Sequence, residues 1–232
     1  MKLLIGIATA EFARQASFYD YLHYLKKPEG TLRIAFHTNS GAWNRNLIIE
    51  DALENDCSHI LFLDDDMAFG ADALMKLIQH DKDIVSGLYL NRNHPHSPVI
   101  FDYASLEDGK ASRRLLMEGE KGLIEVKAVG FGFMLVRTSI FQFMERPYVR
   151  TGEFHKDRRS EDISFCCRAR KIGMQIFCDL DCPIGHIGQM IVWPVNNKGV
   201  WETGIDTYNS KIWNNTSKEL SNTDVNGVLI ND

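Results

Sequence analysis

A chain of 232 residues suits one domain of ordinary size, or one domain with a tail. Its 44% hydrophobic and 25% charged residues are the composition of a globular protein with a real core. The formal net charge of −5 argues against a broad nucleic-acid surface, though not against a local basic patch, and gives no sign of adhesion to an anionic membrane.

The opening MKLLIGIATA ends on Ala-Thr-Ala, as a signal-peptidase site does. Its apolar run is short and only one lysine precedes it, so Leu3 to Ala8 is expected to be a first buried strand. No stretch approaches membrane-spanning length. Phe18, Tyr21, Leu22 and Leu25 recur at helical spacing within Phe12 to Lys27, and Pro28 and Gly30 break the pattern. Thr31 to His37 alternates as a second strand, and Thr38-Asn39-Ser40-Gly41 forms a turn. Asn44 to Asn55 carries Leu47, Ile48, Ala52 and Leu53 on one side of a helix. Ile60 to Leu63 is a continuous apolar run, as expected of a strand covered on both faces. A helix over Ala71 to His80 and a strand over Asp83 to Leu88 follow. Strand and helix thus alternate four times, which predicts an α/β domain on a mostly parallel sheet.

The second half changes character. A loop from Asn91 to His96 leads to β-type runs at Pro98 to Tyr103, Leu123 to Val129 and Gly132 to Val136. A short helix is expected over Ser139 to Glu145, a polar and basic loop over Thr151 to Arg159, and a helix over Glu161 to Lys171 with Gly173 at its C-terminus. Met174 to Cys178 is the last expected strand. After Gly188 the periodicity dissolves, so 189–232 is expected to be a lid-like segment followed by a loosely packed tail. The five cysteines lack disulfide-framework spacing; they predict buried thiols in a reducing compartment, hence a cytoplasmic protein. A zinc site on Cys178 and Cys182 would lack a second pair of ligands.

Three adjacent acids, Asp64, Asp65 and Asp66, close the Ile60 to Leu63 strand. Like charges repel and are costly to desolvate, so a cation is expected there. In open α/β sheets, ligands bind beyond the carboxyl ends of the strands. Clustered hard oxygen ligands suit Mg²⁺ or Mn²⁺, although a solvated turn or an N-cap also uses Asp. Glu161 and Asp162 open a helix after Ser160, which capping alone would explain. His186 lies between Gly185 and Gly188, whose lack of side chains allows close backbone approach to a phosphate or metal.

Six segments in this order are Arg45-Asn46, Leu63-Asp64-Asp65-Asp66-Met67, Asp83 to Tyr89, Gly130 to Arg137, Glu161 to Cys166 and Gly185-His186. Together they resemble the GT-A fold nucleotide-sugar glycosyltransferases of the family-2 type with a D-x-D motif. The resemblance covers roughly Met1 to Gly188. It implies a Rossmann-like mixed sheet, with a nucleotide-binding half over 1–90 and an acceptor half over 91–188. It further implies that Asp64, Asp66 and His186 hold Mn²⁺ or Mg²⁺, and that Thr9, Ala10, Glu11, Arg45, Asp64 and Asp65 contact a UDP- or GDP-sugar donor. Asp162 would be the catalytic base of an inverting reaction, with Glu161 orienting the acceptor or capping the helix. The strand Phe133 to Val136 would floor the space between donor and acceptor pockets, Gly132 before it would allow close backbone approach or form a β-bulge, and Trp193 would either close over the donor or pack the tail down. The turn Thr38 to Gly41 lacks the aspartate that inverting members often carry to contact the base.

Two other classes are weighed. A nucleotidyltransferase usually has a glycine-rich basic loop after its first strand, where this chain has Ala8-Thr9-Ala10-Glu11. A non-catalytic sugar- or metal-binding module would not need Asp162, and EF-hand spacing is absent. The acceptor is open among polysaccharide, lipid-linked sugar, protein and modified nucleobase, with His94 and His96 as acceptor-side candidates.

Overall fold

The structure is a computed structural model that describes residues 1–9, 16–38, 40–92, 96–152, 161–188, 191–207 and 210–213. Strand β1 (Leu3–Thr9) is buried along all seven residues, which is why its sequence is apolar without alternation. It lies between two parallel neighbours, β2 (Leu32–His37) and β3 (His59–Asp64). Beyond β3 come β10 (Phe133–Arg137), antiparallel to both its neighbours, then β5 (Ile84–Leu88) and β11 (Ile176–Ile187). β11 runs parallel to β5, so β10 is the antiparallel member of an otherwise parallel core. The fold is therefore a mixed α/β one, its sheet flanked by helices.

Helix α2 (Gly41–Glu54) starts at Ser40, whose hydroxyl accepts from the Trp43 backbone N–H. It buries Ala42, Ile48, Ile49 and Ala52 against the sheet, together with the polar residues Asn44, Arg45 and Asn46. Close approach depends on Gly6, since a Cβ there would lie 2.2 Å from Ile48 Cγ2. Helices α1 (Ala16–Tyr24), α3 (Ala73–Gln79) and α4 (Glu161–Lys171) complete the flanking layers. A second sheet orders β7 (Lys110–Arg113), β6 (Ile100–Ser105) and β9 (Ala128–Val129). β8 (Leu123–Val126) pairs with β11 instead, so the single strand expected over Leu123 to Val129 divides between two sheets at Lys127.

Three other differences shape the site. β11 does not end at Cys178; its pairing with β5 shifts between Asp179 and Pro183, and the strand runs on to Ile187. That second half pairs antiparallel with β4 (Met67–Phe69), a strand too short to show in the sequence pattern. Residues 191–207 and 210–213 are not irregular either: β12 (Ile191–Asn197), β13 (Val200–Thr207) and β14 (Ser210–Trp213) extend the sheet as antiparallel strands. Pro194 within β12 hides it, and the β12–β13 turn uses positive φ at Lys198 (52°) and Gly199 (94°). Finally, the expected helix over Ser139 to Glu145 is a 3₁₀ turn at Thr138–Gln142.

Candidate functional site

The carboxyl ends of β1 and β3 lie side by side, with Ala8 level with Asp64. Thr9 is buried; its carbonyl accepts from Asn44 Nδ2 at 2.8 Å, and its hydroxyl donates to Asp65 Oδ2. Asp64 Oδ1 pairs with Arg45 Nη2 at 2.7 Å, and the Asp64 backbone N–H donates to the Gly132 carbonyl. Burial pushes the Asp64 carboxyl up, the Arg45 charge pulls it down, and Asp66 pushes it up again.

Asp66 faces His186 because of strand register. β4 pairs with β11 so that His186 is level with Met67, and the Ile187 N–H donates to the Asp66 carbonyl at 2.6 Å. His186 Nδ1 lies 2.9 Å from the Leu90 carbonyl, which only accepts, so Nδ1 is assigned the proton. A neutral ring then turns its Nε2 lone pair toward Asp66 Oδ2, 3.4 Å away. Two acceptors so placed repel unless a proton or a cation lies between them. Arg92 Nη1 reaches the same Oδ2 at 3.0 Å, while Asp66 Oδ1 is buried without a hydrogen-bond partner. Imidazole nitrogen with carboxylate oxygen is a donor set that fits Mn²⁺ or Mg²⁺. Among the described residues, however, no three His, Cys, Asp or Glu side chains are gathered as for a metal, and Asp64 is tied to Arg45.

The second acidic pair opens α4. Glu161 Oε1 pairs with Arg45 Nη1 at 2.9 Å, and Asp162 Oδ1 accepts from the Ile163 N–H at 2.8 Å. Burial and then the Glu161 charge raise the Asp162 carboxyl to about 6, against the opposing pull of the Ile163 N–H and Arg45. The Arg45 side chain is 8% exposed, and its guanidinium carbon lies 4.5 Å from the centre of the Phe131 ring. Phe131 in turn touches Phe62 of β3 and Phe165 of α4, so a cluster of rings supports the cation. Gly41 makes room: a Cβ there would lie 2.9 Å from Arg45 Nη1 and 3.2 Å from Glu161 Oε1. The Tyr89 hydroxyl accepts from the Gly132 N–H at 3.3 Å, and the ring meets His186 edge-on. Gly130 is required beside it, because a Cβ would fall 1.8 Å from Tyr89 Oη.

Thr9, Arg45, Asp64, Asp65, Asp66, Glu161, Asp162, His186 and Gly132 are therefore linked in one region. Several expectations need correction. Arg45, expected at the donor, has both terminal nitrogens engaged by carboxylates of the protein itself, Asp64 and Glu161. Phe133 is fully buried against Phe69, so its ring belongs to the core and cannot floor an acceptor pocket. Trp193 sits on β12, across Gly185, and not in an irregular segment. His186 lies within β11, not beyond it. Ala10, Glu11, His94 and the basic stretch Lys156 to Arg159 lie outside the described residues. His96 Nδ1 contacts the Asn91 carbonyl at 3.1 Å. All five cysteines are buried free thiols, and no helix among the described residues is long and apolar enough to cross a membrane.

Sequence reading missed Arg92, Tyr89 and the Leu90 carbonyl, all of which act through pairings remote in sequence. A separate cleft of about 450 Å³ lies by the C-terminal end of α4, lined by Arg170, Lys171, Glu107 and Glu125, and none of the site residues lines it.

Fold and site together define a mixed α/β protein that gathers carboxylates at the carboxyl ends of its parallel strands. No protein-family model and none of the curated proteins matches the chain. Among solved structures it is similar to A197 from STIV, at 16% identity over 96% of this chain and 99% of that one, with a TM-score of 0.59. It also aligns with S. aureus TarS 1–349 at 12% identity, over 78% of this chain and 58% of that one, TM-score 0.43. A third alignment, with GalNAc-T7 crystallised with UDP, GalNAc and Mn²⁺, has 11% identity, 81% and 44% coverage, and a TM-score of 0.48. The likeness to A197 concerns the fold alone, and the other two superpose too loosely to carry an argument.

Proposed function

We propose that the protein is a metal-dependent glycosyltransferase that moves a sugar from a nucleotide-diphosphate donor to an acceptor hydroxyl with inversion. The observation that carries this reading is the joining of Asp64 to Asp66, His186 and Glu161-Asp162, three remote segments, through Arg45 and the β4–β11 register. The motif resemblance to GT-A glycosyltransferases points the same way.

Asp66 and His186 would hold a divalent cation, with Asp64 beside them, and such an ion supplies charge stabilisation to a leaving diphosphate. The remaining work falls to the chain. An acceptor oxygen attacks the anomeric carbon, and the bond from that carbon to the diphosphate oxygen breaks. The bonding pair leaves with the diphosphate, and the acceptor proton passes to an Asp162 carboxylate oxygen. A carboxyl raised to about 6 is ionised at neutral pH yet basic enough to take that proton. General-base catalysis of this kind contributes roughly 10²–10⁴-fold. Thr9 and Asp65, already bonded to each other, present polar atoms on the donor side.

The test is equilibrium binding of UDP- and GDP-sugars with and without Mn²⁺. Metal-dependent binding that is lost on replacing Asp66 supports the reading, and no binding of any nucleotide sugar with metal present defeats it.

A further inference from the structure

Arg45 contacts both acidic segments of the site. One guanidinium nitrogen, Nη2, meets Asp64 at the end of β3, and the other, Nη1, meets Glu161 at the first residue of α4. These partners are separated from Arg45 by 19 and 116 residues respectively, so the bridge closes a long loop of chain. A guanidinium suits the task because its planar fork offers donors to two carboxylates at once and it never loses its charge. Phe131 covers one of its faces, and Gly41 leaves the space it occupies.

We propose that Arg45 is a positioning residue, a fixed cationic brace that sets the distance between the aspartates at the end of β3 and the Glu161-Asp162 pair of α4, and that it does not contact the donor. The inference rests on the glycosyltransferase reading for its catalytic meaning, while the brace itself stands on geometry. By holding Glu161 while it also holds Asp64, Arg45 ties the first turn of α4 to the end of β3, and Asp162 is the next residue along that turn. A misplacement of about 1 Å between reacting groups can lower a rate by roughly 10²-fold without weakening substrate binding.

Three variants test the brace. Arg45→Gln removes the charge and leaves the half-buried Asp64 without its partner, so it carries a risk of misfolding. Arg45→Lys keeps the charge but cannot fork, and Glu161→Gln weakens one arm alone. The expected result for Arg45→Lys is a fall in kcat of about 10-fold or more with donor KM changed by less than about 3-fold, since geometry and not binding is lost. Glu161→Gln is expected to lower kcat in the wild type yet to add little on top of Arg45→Lys, because both remove the same link. A donor KM raised about 10-fold at unchanged kcat would instead make Arg45 a donor contact and overturn the proposal. So would additive effects of the two substitutions.

A double-mutant cycle on the urea midpoint, using Arg45→Lys, Glu161→Gln and the double variant, reads the brace without any reaction. Coupling there, with no sugar transfer by the wild type, would retain the link while removing the enzymatic reading and the positioning role. Absence of coupling would overturn the brace whatever the activity.

Discussion

Asp66 Oδ2 and His186 Nε2 lie 3.4 Å apart, and the Leu90 carbonyl holds the opposite ring nitrogen at 2.9 Å. The backbone therefore decides which nitrogen faces the carboxylate, as an outer partner does for a metal-ligating histidine. Replacing His186 by alanine is expected to weaken Mn²⁺ binding by roughly 10-fold or more, without unfolding the chain. Titration followed by the Mn²⁺ EPR signal checks it; affinity equal to wild type would remove His186 from the ligand set.

In the proposed site, Arg92 would compete with a divalent ion for the same Asp66 oxygen. The arginine is 53% exposed, so its attraction for Asp66 is partly screened and modest. Arg92→Gln should bind Mn²⁺ a few-fold more tightly than wild type, with the difference shrinking as salt rises. Weaker binding in this variant would mean that Arg92 supports the ion and does not oppose it.

On the proposed mechanism, Asp162 would set a pH dependence. A base works only when ionised, so kcat/KM should rise with pH through about 6 and level off above it. The Asp162→Asn variant should lose both this limb and most of the activity. A rate profile flat between pH 5 and 8 in the wild type would assign the base elsewhere.

The same carboxyl affects stability with the opposite sign. Its folded value of about 6 lies above the ordinary 3.8, so its favourable contribution is full below about pH 4 and is lost as pH rises through 6. Above that, ionised Asp162 costs the fold. With allowance for partial exposure, Asp162→Asn should gain about 1–2 kcal/mol at pH 8 and little at pH 4. Urea unfolding at the two pH values distinguishes this from a substitution that is neutral at both.

Gly130 has no room for a side chain beside Tyr89 Oη. Gly130→Ala is expected to destabilise the protein by about 1–3 kcal/mol as an overpacked site. Thermal unfolding would show a lower midpoint, and an unchanged midpoint would mean that Tyr89 moves aside freely.

Much of this was legible in the chain. The apolar runs at β1 and β3 and the acids after Leu63 gave the sheet core and one side of the site, because burial on both faces leaves a local signature. Glu161 to Lys171 is legible as a helix to the residue, because its acidic first turn and the glycine at 173 are local signals. What the pattern could not carry was pairing. His186 meets Asp66 through the β4–β11 register, and Arg45 meets Glu161 across 116 positions, neither of which any local window contains. Pro194 masks β12, and the closeness of Phe133 to the glycine motif suggests the acceptor although its ring is buried in the core. Residues near a chemical motif attract functional roles in a sequence, while packing assigns some of them to the core.

The central claim is metal-dependent sugar transfer with Asp162 as base. Its most direct test is release of nucleoside diphosphate from a panel of UDP- and GDP-sugars, with and without Mn²⁺, by wild type and Asp162→Asn. The account predicts release that requires the metal and falls by roughly 10²–10⁴-fold in the variant while donor binding persists. Equal release by the two proteins, or release indifferent to Mn²⁺, would contradict it.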